Sequence, residues 1–131
     1  MNSKKRNKSK HKGLNRIIFS SKYSIEGLAY AYKTEKSLVL HSILSTCAII
    51  LGFVLNISIN QWIVLLIALG VILMIELLNT AIEAVVDMVT LEYNELAKIA
   101  KDCGSAGAFV ASIIGLIIAL VIFIPKIIAL L

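Results

Sequence analysis

The chain has 131 residues, 59% of them hydrophobic and 16% charged, with a mean hydropathy of +0.90. This composition excludes an ordinary water-soluble domain. Of thirteen Lys and Arg residues, ten lie between Lys4 and Lys36, whereas six of the eight acids lie between Glu76 and Asp102, so the net charge of +5 is not a random decoration of a soluble core. Two cysteines, Cys47 and Cys103, form neither a disulfide framework nor a CxxC metal pair, which excludes a secreted, stapled domain.

Residues 1–12, rich in Lys, Asn and Ser, are expected to be a basic disordered tail adhering to anionic headgroups. Beside apolar spans the lipid surface is a nearer polyanion than nucleic acid, so no nucleic-acid partner is expected. Residues 13–131 are read as one membrane-embedded domain. Over about 13–34, Leu14, Ile17, Ile18, Ile25, Leu28, Ala29 and Tyr32 share one helical face, with Arg16, Lys22, Glu26 and Lys33 beside or opposite it. Such a helix lies on the inner membrane surface.

Three stretches, about 37–55, 62–88 and 104–125, are long and apolar enough to cross a bilayer. The expected fold is all-α: an amphipathic surface helix, then three transmembrane helices. Three short helices enclose a polar site poorly, so an oligomeric bundle is expected. The N-terminal arm is strongly basic, the loop Asn56 to Gln61 has no Lys or Arg, the loop around Thr90 to Ser105 has Lys98 and Lys101, and the end has Lys126. Cytoplasmic flanks carry the positive excess, so the N-terminus and second loop are assigned inside, with Trp62 at the outer interface. A cleaved signal peptide is not expected, because the basic region is long and no small-residue cleavage pattern follows the first apolar run.

The informative stretch runs from Glu76 to Asp87, ELLNTAIEAVVD. At about 100° per residue, Asn79, Thr80, Glu83 and Asp87 all fall within about 60° of Glu76. Leu77, Leu78, Ala81, Ala84, Val85 and Met88 occupy the other side. Three carboxylates thus share one line that begins inside the hydrocarbon, and no Lys or Arg in the spans can pair with them. Protonation, a divalent cation, or Lys98 and Lys101 would have to neutralise them. Carboxylates with open positions suit Mg²⁺ bound together with substrate phosphates, and two lysines three apart suit a phosphate at that depth. From spacing alone the stripe has three readings: a polar seam between helices, a proton or cation relay in a small transporter, or a catalytic site with a carboxylate base and bound metal.

Other residues are less specific. Glu35 reads first as a solvated charge between Lys33 and Lys36, and acquires interest only if another carboxylate reaches it. The rows Gly104, Ala108, Ser112 and Gly107, Ala111, Gly115 predict close helix packing, and no GxxxxGK[ST] or GxGxxG motif is present. His41 reads as a buried polar residue, Cys47 as a small core residue and Cys103 as incidental. Tyr23, Tyr30, Tyr32 and Tyr93 fit interfacial belts, with Tyr23 also able to stack on a base.

From about Gly13 to Ile124 the chain resembles the bacterial diacylglycerol kinase and undecaprenol kinase family of small integral membrane lipid kinases. The resemblance is carried by Glu76 to Asp87, by Glu92-Tyr93, and by Ala100-Lys101-Asp102 with Gly104-Ser105-Ala106. It implies a surface helix before three transmembrane helices, a homotrimer sharing its sites, and transfer of the ATP γ-phosphate, with Mg²⁺, to the primary hydroxyl of a membrane lipid. It implies Glu76 as catalytic base, Glu35 and Glu83 as metal ligands that also face the nucleotide, and Asn79 as polar partner of the base. Lys101 and Asp102 correspond to a pair near the nucleotide phosphates, and Arg16, Tyr23, Glu92 and Glu95 to positions around the nucleotide. Asp87, Gly104 and Ser105 complete the polar support. The implied location is the bacterial inner membrane, with the active site cytoplasmic.

Two positions depart from the family pattern: Asn94 stands where relatives often carry His, and Glu26 where some carry a basic residue. The wording Asn79-Thr-Ala-Ile-Glu83, the run Lys98-Ile-Ala-Lys101-Asp102 and His41 after Glu35 look more like the undecaprenol kinases. Gly104-Ser105-Ala106 looks more like the diacylglycerol kinases. The lean is towards undecaprenol.

Overall fold

The computed structural model describes residues 14–130. The expected basic tail lies outside the described residues, and so do the side chains of residues 14–18, Arg16 among them. Four helices follow one another: α1 (Leu14–Thr34), α2 (Lys36–Val54), α3 (Ile59–Val89) and α4 (Glu95–Ile128). No strand occurs among the described residues, and α2, α3 and α4 are each long and apolar enough to cross a membrane.

The chain divides into two compact units, one ending at Tyr30 and the other beginning at Ala31. In the first, α1 exposes Phe19, Tyr23, Ile25, Leu28 and Tyr30. Exposed apolar and aromatic side chains on a helix that also carries Lys22 and Glu26 suit the plane of a membrane interface.

The second unit holds the three spanning helices. The break between α1 and α2 is a single extended residue, Glu35, whose carboxylate makes no capping hydrogen bond. Asn56, in the left-handed region at φ 48°, turns the chain after α2, a conformation Asn tolerates better than most residues. A reciprocal capping box starts α3: Ser58 Oγ accepts from Gln61 N, and Gln61 Oε1 accepts from Ser58 N. At the other end Asn94 caps α4, its Oδ1 accepting from Leu96 N at 2.9 Å and Ala97 N at 3.1 Å.

That cap corrects the expected second loop. Residues 95–105 are helical, the connection is only Thr90–Asn94, and Lys98 and Lys101 project from α4. The apolar pattern marks only the part of α4 that lipid can solvate, whereas the Asn94 cap determines where the helix begins. For the same reason α3 starts at Ile59, before the expected 62.

The closest packing joins α3 to α4, and the small residues of α4 allow it. A Cβ at Gly115 would collide with Ile72, and one at Gly107 would lie 3.8 Å from Ile75. Ala108, Ala111 and Gly115 are buried. Towards the Asn56 turn, Leu55, Ile57, Leu65, Ile122 and Phe123 form an apolar cluster with Trp62 against it. Gly52 admits the Trp62 ring, since a Cβ there would come within 2.8 Å of it. Many large apolar side chains, including Leu40, Ile43, Ile50, Ile67 and Val121, remain exposed on the spanning helices. In a membrane these surfaces meet lipid or other helices.

Candidate active site

The polar stripe of α3 becomes buried where it passes between α2 and α4. Glu76 is 4% exposed, Asn79 8% and Thr80 6%, so these polar side chains need partners within the protein. Helix α2 supplies two of them. Ser37 Oγ donates to Glu76 Oε2 at 2.7 Å, and His41 Nε2 lies 3.1 Å from Glu76 Oε1. Thr80 Oγ1 donates to the Glu76 carbonyl oxygen at 3.0 Å. From α4, Ser112 Oγ lies 3.3 Å from His41 Nε2.

One turn further along α3, Asn79 Nδ2 donates to Glu83 Oε1 at 3.1 Å. This bond fixes which way the amide points, and it leaves Asn79 Oδ1 buried without a hydrogen-bond partner. Gly104 of α4 makes the space for that oxygen, because a Cβ at Gly104 would clash with it.

Glu35 joins the same cluster. Partial burial, then the like charges of Glu83 and Glu76, hold its carboxyl above its ordinary value of 4.5. Three carboxylates are thus within electrostatic reach, and no Lys or Arg forms an ion pair with them among the described residues. The donor set fits a hard cation, being all oxygen, negatively charged and short of positive partners. Among the described residues no three His, Cys, Asp or Glu side chains are grouped closely enough to hold an ion. The protein would supply a minority of the ligands, the usual situation for Mg²⁺ held together with phosphate oxygens and water.

A second polar feature lies at the α3–α4 connection. Val86, Asp87, Thr90, Glu92, Asn94, Lys98, Lys101 and Asp102 are among the residues lining a cavity of about 280 Å³. Lys101 Nζ donates to Asp87 Oδ1 at 2.6 Å, and Lys98 pairs with Asp102. Lys101 therefore meets the last carboxylate of the stripe rather than Glu76, while remaining within electrostatic reach of Glu83. The two lysines and their acids form a charged rim able to exchange their internal partners for a phosphate.

Of the residues singled out in the sequence, Glu35, Glu76, Asn79, Glu83 and Gly104 come together in the carboxylate cluster. Asp87, Glu92, Lys101 and Asp102 line the cavity beside the loop. Glu95 and Ser105 are exposed and line neither feature. Tyr23 belongs to the first unit. Asn94, which departs from the family pattern, has a structural task as the cap of α4. Sequence reasoning passed over Ser37, read Ser112 only as a small packing residue, and gave His41 no role at Glu76. The available signal was the row Ser37, His41, Ser45, spaced every fourth residue on one face of α2.

The chain is thus an all-helical protein with, among the described residues, three helices long and apolar enough to cross a membrane, and it buries a carboxylate on α3 among polar partners. The family model for prokaryotic diacylglycerol kinase matches residues 22–123, and the chain belongs to that family. It is similar to an undecaprenol kinase of Bacillus subtilis, 36% identical over 86% of this chain and 92% of the relative. It is also similar to diacylglycerol kinases of Pseudomonas aeruginosa, 39% identical over 76% of this chain and 80% of the relative, and Haemophilus influenzae, 38% identical over 80% and 90%. The protein is therefore a membrane lipid kinase, which displaces the reading of the chain as a small transporter.

Proposed function

We propose that the protein transfers the γ-phosphate of ATP, with Mg²⁺, to the primary hydroxyl of undecaprenol, with Glu76 as general base. One observation carries this reading: Glu76 is buried in the spanning bundle, with Ser37 Oγ donating to its Oε2 and His41 Nε2 lying 3.1 Å from its Oε1, and Glu35 and Glu83 are its acidic neighbours. An unprotonated carboxylate has lone pairs left after accepting two hydrogen bonds, so Glu76 can take the proton of an alcohol entering laterally from the bilayer.

Glu35 and Glu83 are the residues that would hold Mg²⁺, whose chemistry is to neutralise charge on the transferring phosphoryl group. Asn79 orients the Glu83 carboxylate through its amide. Lys101, Lys98 and Asp102, with Glu92 across the cavity, receive the nucleotide end. Arg16, Tyr23 and Glu95 are assigned to the nucleotide on the resemblance alone. Phosphoryl transfer needs mostly positioning and neutralisation, so few side chains suffice.

Undecaprenol is preferred over diacylglycerol on the resemblance of Asn79-Thr-Ala-Ile-Glu83, the run Lys98-Ile-Ala-Lys101-Asp102 and His41 after Glu35 to the undecaprenol kinases. The site is assigned to the cytoplasmic face of the bacterial inner membrane, and the working unit to a homotrimer, so that neighbouring copies cover the exposed apolar faces. The test is transfer of labelled γ-phosphate from MgATP in mixed micelles containing undecaprenol or diacylglycerol. Label is expected in undecaprenol and should vanish in Glu76→Gln with oligomeric assembly intact. Normal turnover in that mutant would remove Glu76 from the role of base, and label in diacylglycerol alone would reverse the substrate assignment.

A further inference from the structure

The polar contacts of Glu76 form a network across all three spanning helices, and the hydrogens in it can be assigned. Ser112 Oγ donates to the Ala108 carbonyl oxygen at 2.8 Å. Its proton is thereby committed, so towards His41 Nε2, 3.3 Å away, the hydroxyl oxygen can only accept. The other neighbour of Nε2 is Glu76 Oε1 at 3.1 Å, and a carboxylate oxygen also accepts. With Glu76 ionised, a hydrogen on Nε2 suits both neighbours, since each then presents an acceptor. An Nε2–H imidazole is thus the form these two contacts favour.

Ser37, one turn before His41 on α2, donates to the other oxygen of the same carboxylate at 2.7 Å. Each Glu76 oxygen thus faces one polar group from the same face of α2: Ser37 Oγ, which donates to Oε2, and His41 Nε2, 3.1 Å from Oε1. A two-point hold fixes the rotation of the carboxylate plane, which a single contact leaves free. The residual lone pairs then aim in a set direction, and in general-base catalysis that direction determines how well the base meets the hydroxyl proton.

We infer that His41 and Ser37 are positioning residues that clamp the Glu76 carboxylate, with His41 acting as a fixed Nε2–H donor anchored by Ser112. The inference rests on Glu76 being the base. Ser37, His41 and Ser112 act through Glu76 and not on the nucleotide, so their loss should lower kcat and leave the KM for MgATP nearly unchanged.

The clamp is tested on the full chain in mixed micelles. His41→Leu should lower kcat by about tenfold or more, as loss of a charge-assisted hydrogen bond at a reacting group does, with the KM for MgATP within about twofold. His41→Gln, whose amide nitrogen can occupy the place of Nε2, should restore kcat to within about threefold of wild type, because only the donor is required. Ser37→Ala should fall between wild type and His41→Leu. An undiminished kcat in His41→Leu would overturn the inference. So would a His41→Gln protein as impaired as the leucine variant while equally well assembled, or an effect confined to the KM for MgATP.

A second measurement is independent of activity. In a His11→Gln background His41 is the sole histidine, and its ¹⁵N resonances report which ring nitrogen carries hydrogen. A protonated Nε2 is expected, and an Nδ1–H ring with bare Nε2 would refute the clamp. Absence of lipid labelling by the wild type would instead sink the kinase assignment and leave this spectroscopic result to decide the clamp by itself.

Discussion

Gly104 and Glu35 show how single residues set the site. Gly104 touches no reacting group, yet its missing side chain is what admits the buried Asn79 oxygen. In Gly104→Ala the new methyl meets the end of a side chain that can swing away. Stability should therefore fall by no more than about 1–3 kcal/mol. The swing breaks the Asn79–Glu83 hydrogen bond, so transfer activity should fall by about tenfold, a larger effect than the unfolding midpoint implies. Parallel activity and thermal-unfolding measurements decide this, and unchanged activity would free Gly104 of any role beyond packing. For Glu35 the sign of the pH dependence is fixed by a folded-state value raised above 4.5. Between 4.5 and that raised value the native chain binds more protons than the unfolded chain, so stability falls as pH rises through the window. In chelator, Glu35→Gln should be more stable than wild type above the window and should converge with it below. A difference growing towards acid pH would contradict the assignment. Both residues were visible in the sequence for different reasons. Glu35 lies at the right depth but reads by itself as a solvated charge, and gains interest only through the resemblance, whereas the purpose of Gly104 depends on an Asn 25 positions earlier and needed the α3–α4 contact to be seen.

Hydropathy located all three spanning helices, since only the apolar run has to match the bilayer. It missed the polar extension at the start of α4, because a helix in water is bounded by its cap and not by lipid. Asn94 is that cap, accepting from two of the first backbone amides. Asn94→Ala should reduce stability by about 1 kcal/mol, with faster hydrogen exchange at Leu96 and Ala97. Because Asn94 also lines the cavity with Lys98, Lys101 and Asp102, fraying the first turn of α4 should raise the KM for MgATP more than it lowers kcat. Exchange rates identical to wild type would show that the helix start is held by something else. The clamp on Glu76 was less legible than the cap. Its spacing on α2 was readable, but that this face of α2 meets the Glu76 face of α3 follows only from packing, and His41 read alone is indistinguishable from any buried polar residue.

At the scale of the molecule, the charge asymmetry and the placement of the site make one joint statement. The ten basic residues from Lys4 to Lys36 and the two lysines of early α4 support the proposal that those ends are cytoplasmic, the compartment from which ATP can approach. The carboxylate cluster, lying where α2 begins and α3 leaves its apolar stretch, is at the same face by connectivity. On that proposal the Asn56 turn, with Lys126 donating to the Asn56 carbonyl at 3.4 Å, is external. One lysine there does not offset the positive excess of the other face. Replacing Cys47 and Cys103 with Ser gives a background in which single cysteines report sidedness. Glu92→Cys and Asn60→Cys, both at exposed positions beside connections between helices, should react with a membrane-impermeant maleimide from opposite sides of sealed vesicles: Glu92→Cys in inside-out vesicles, Asn60→Cys in right-side-out ones. Labelling of both positions from one side would break the three-span topology. The reverse sidedness would keep the topology but place Glu76, Glu35 and Glu83 on the face away from ATP, which is incompatible with the kinase mechanism proposed for them.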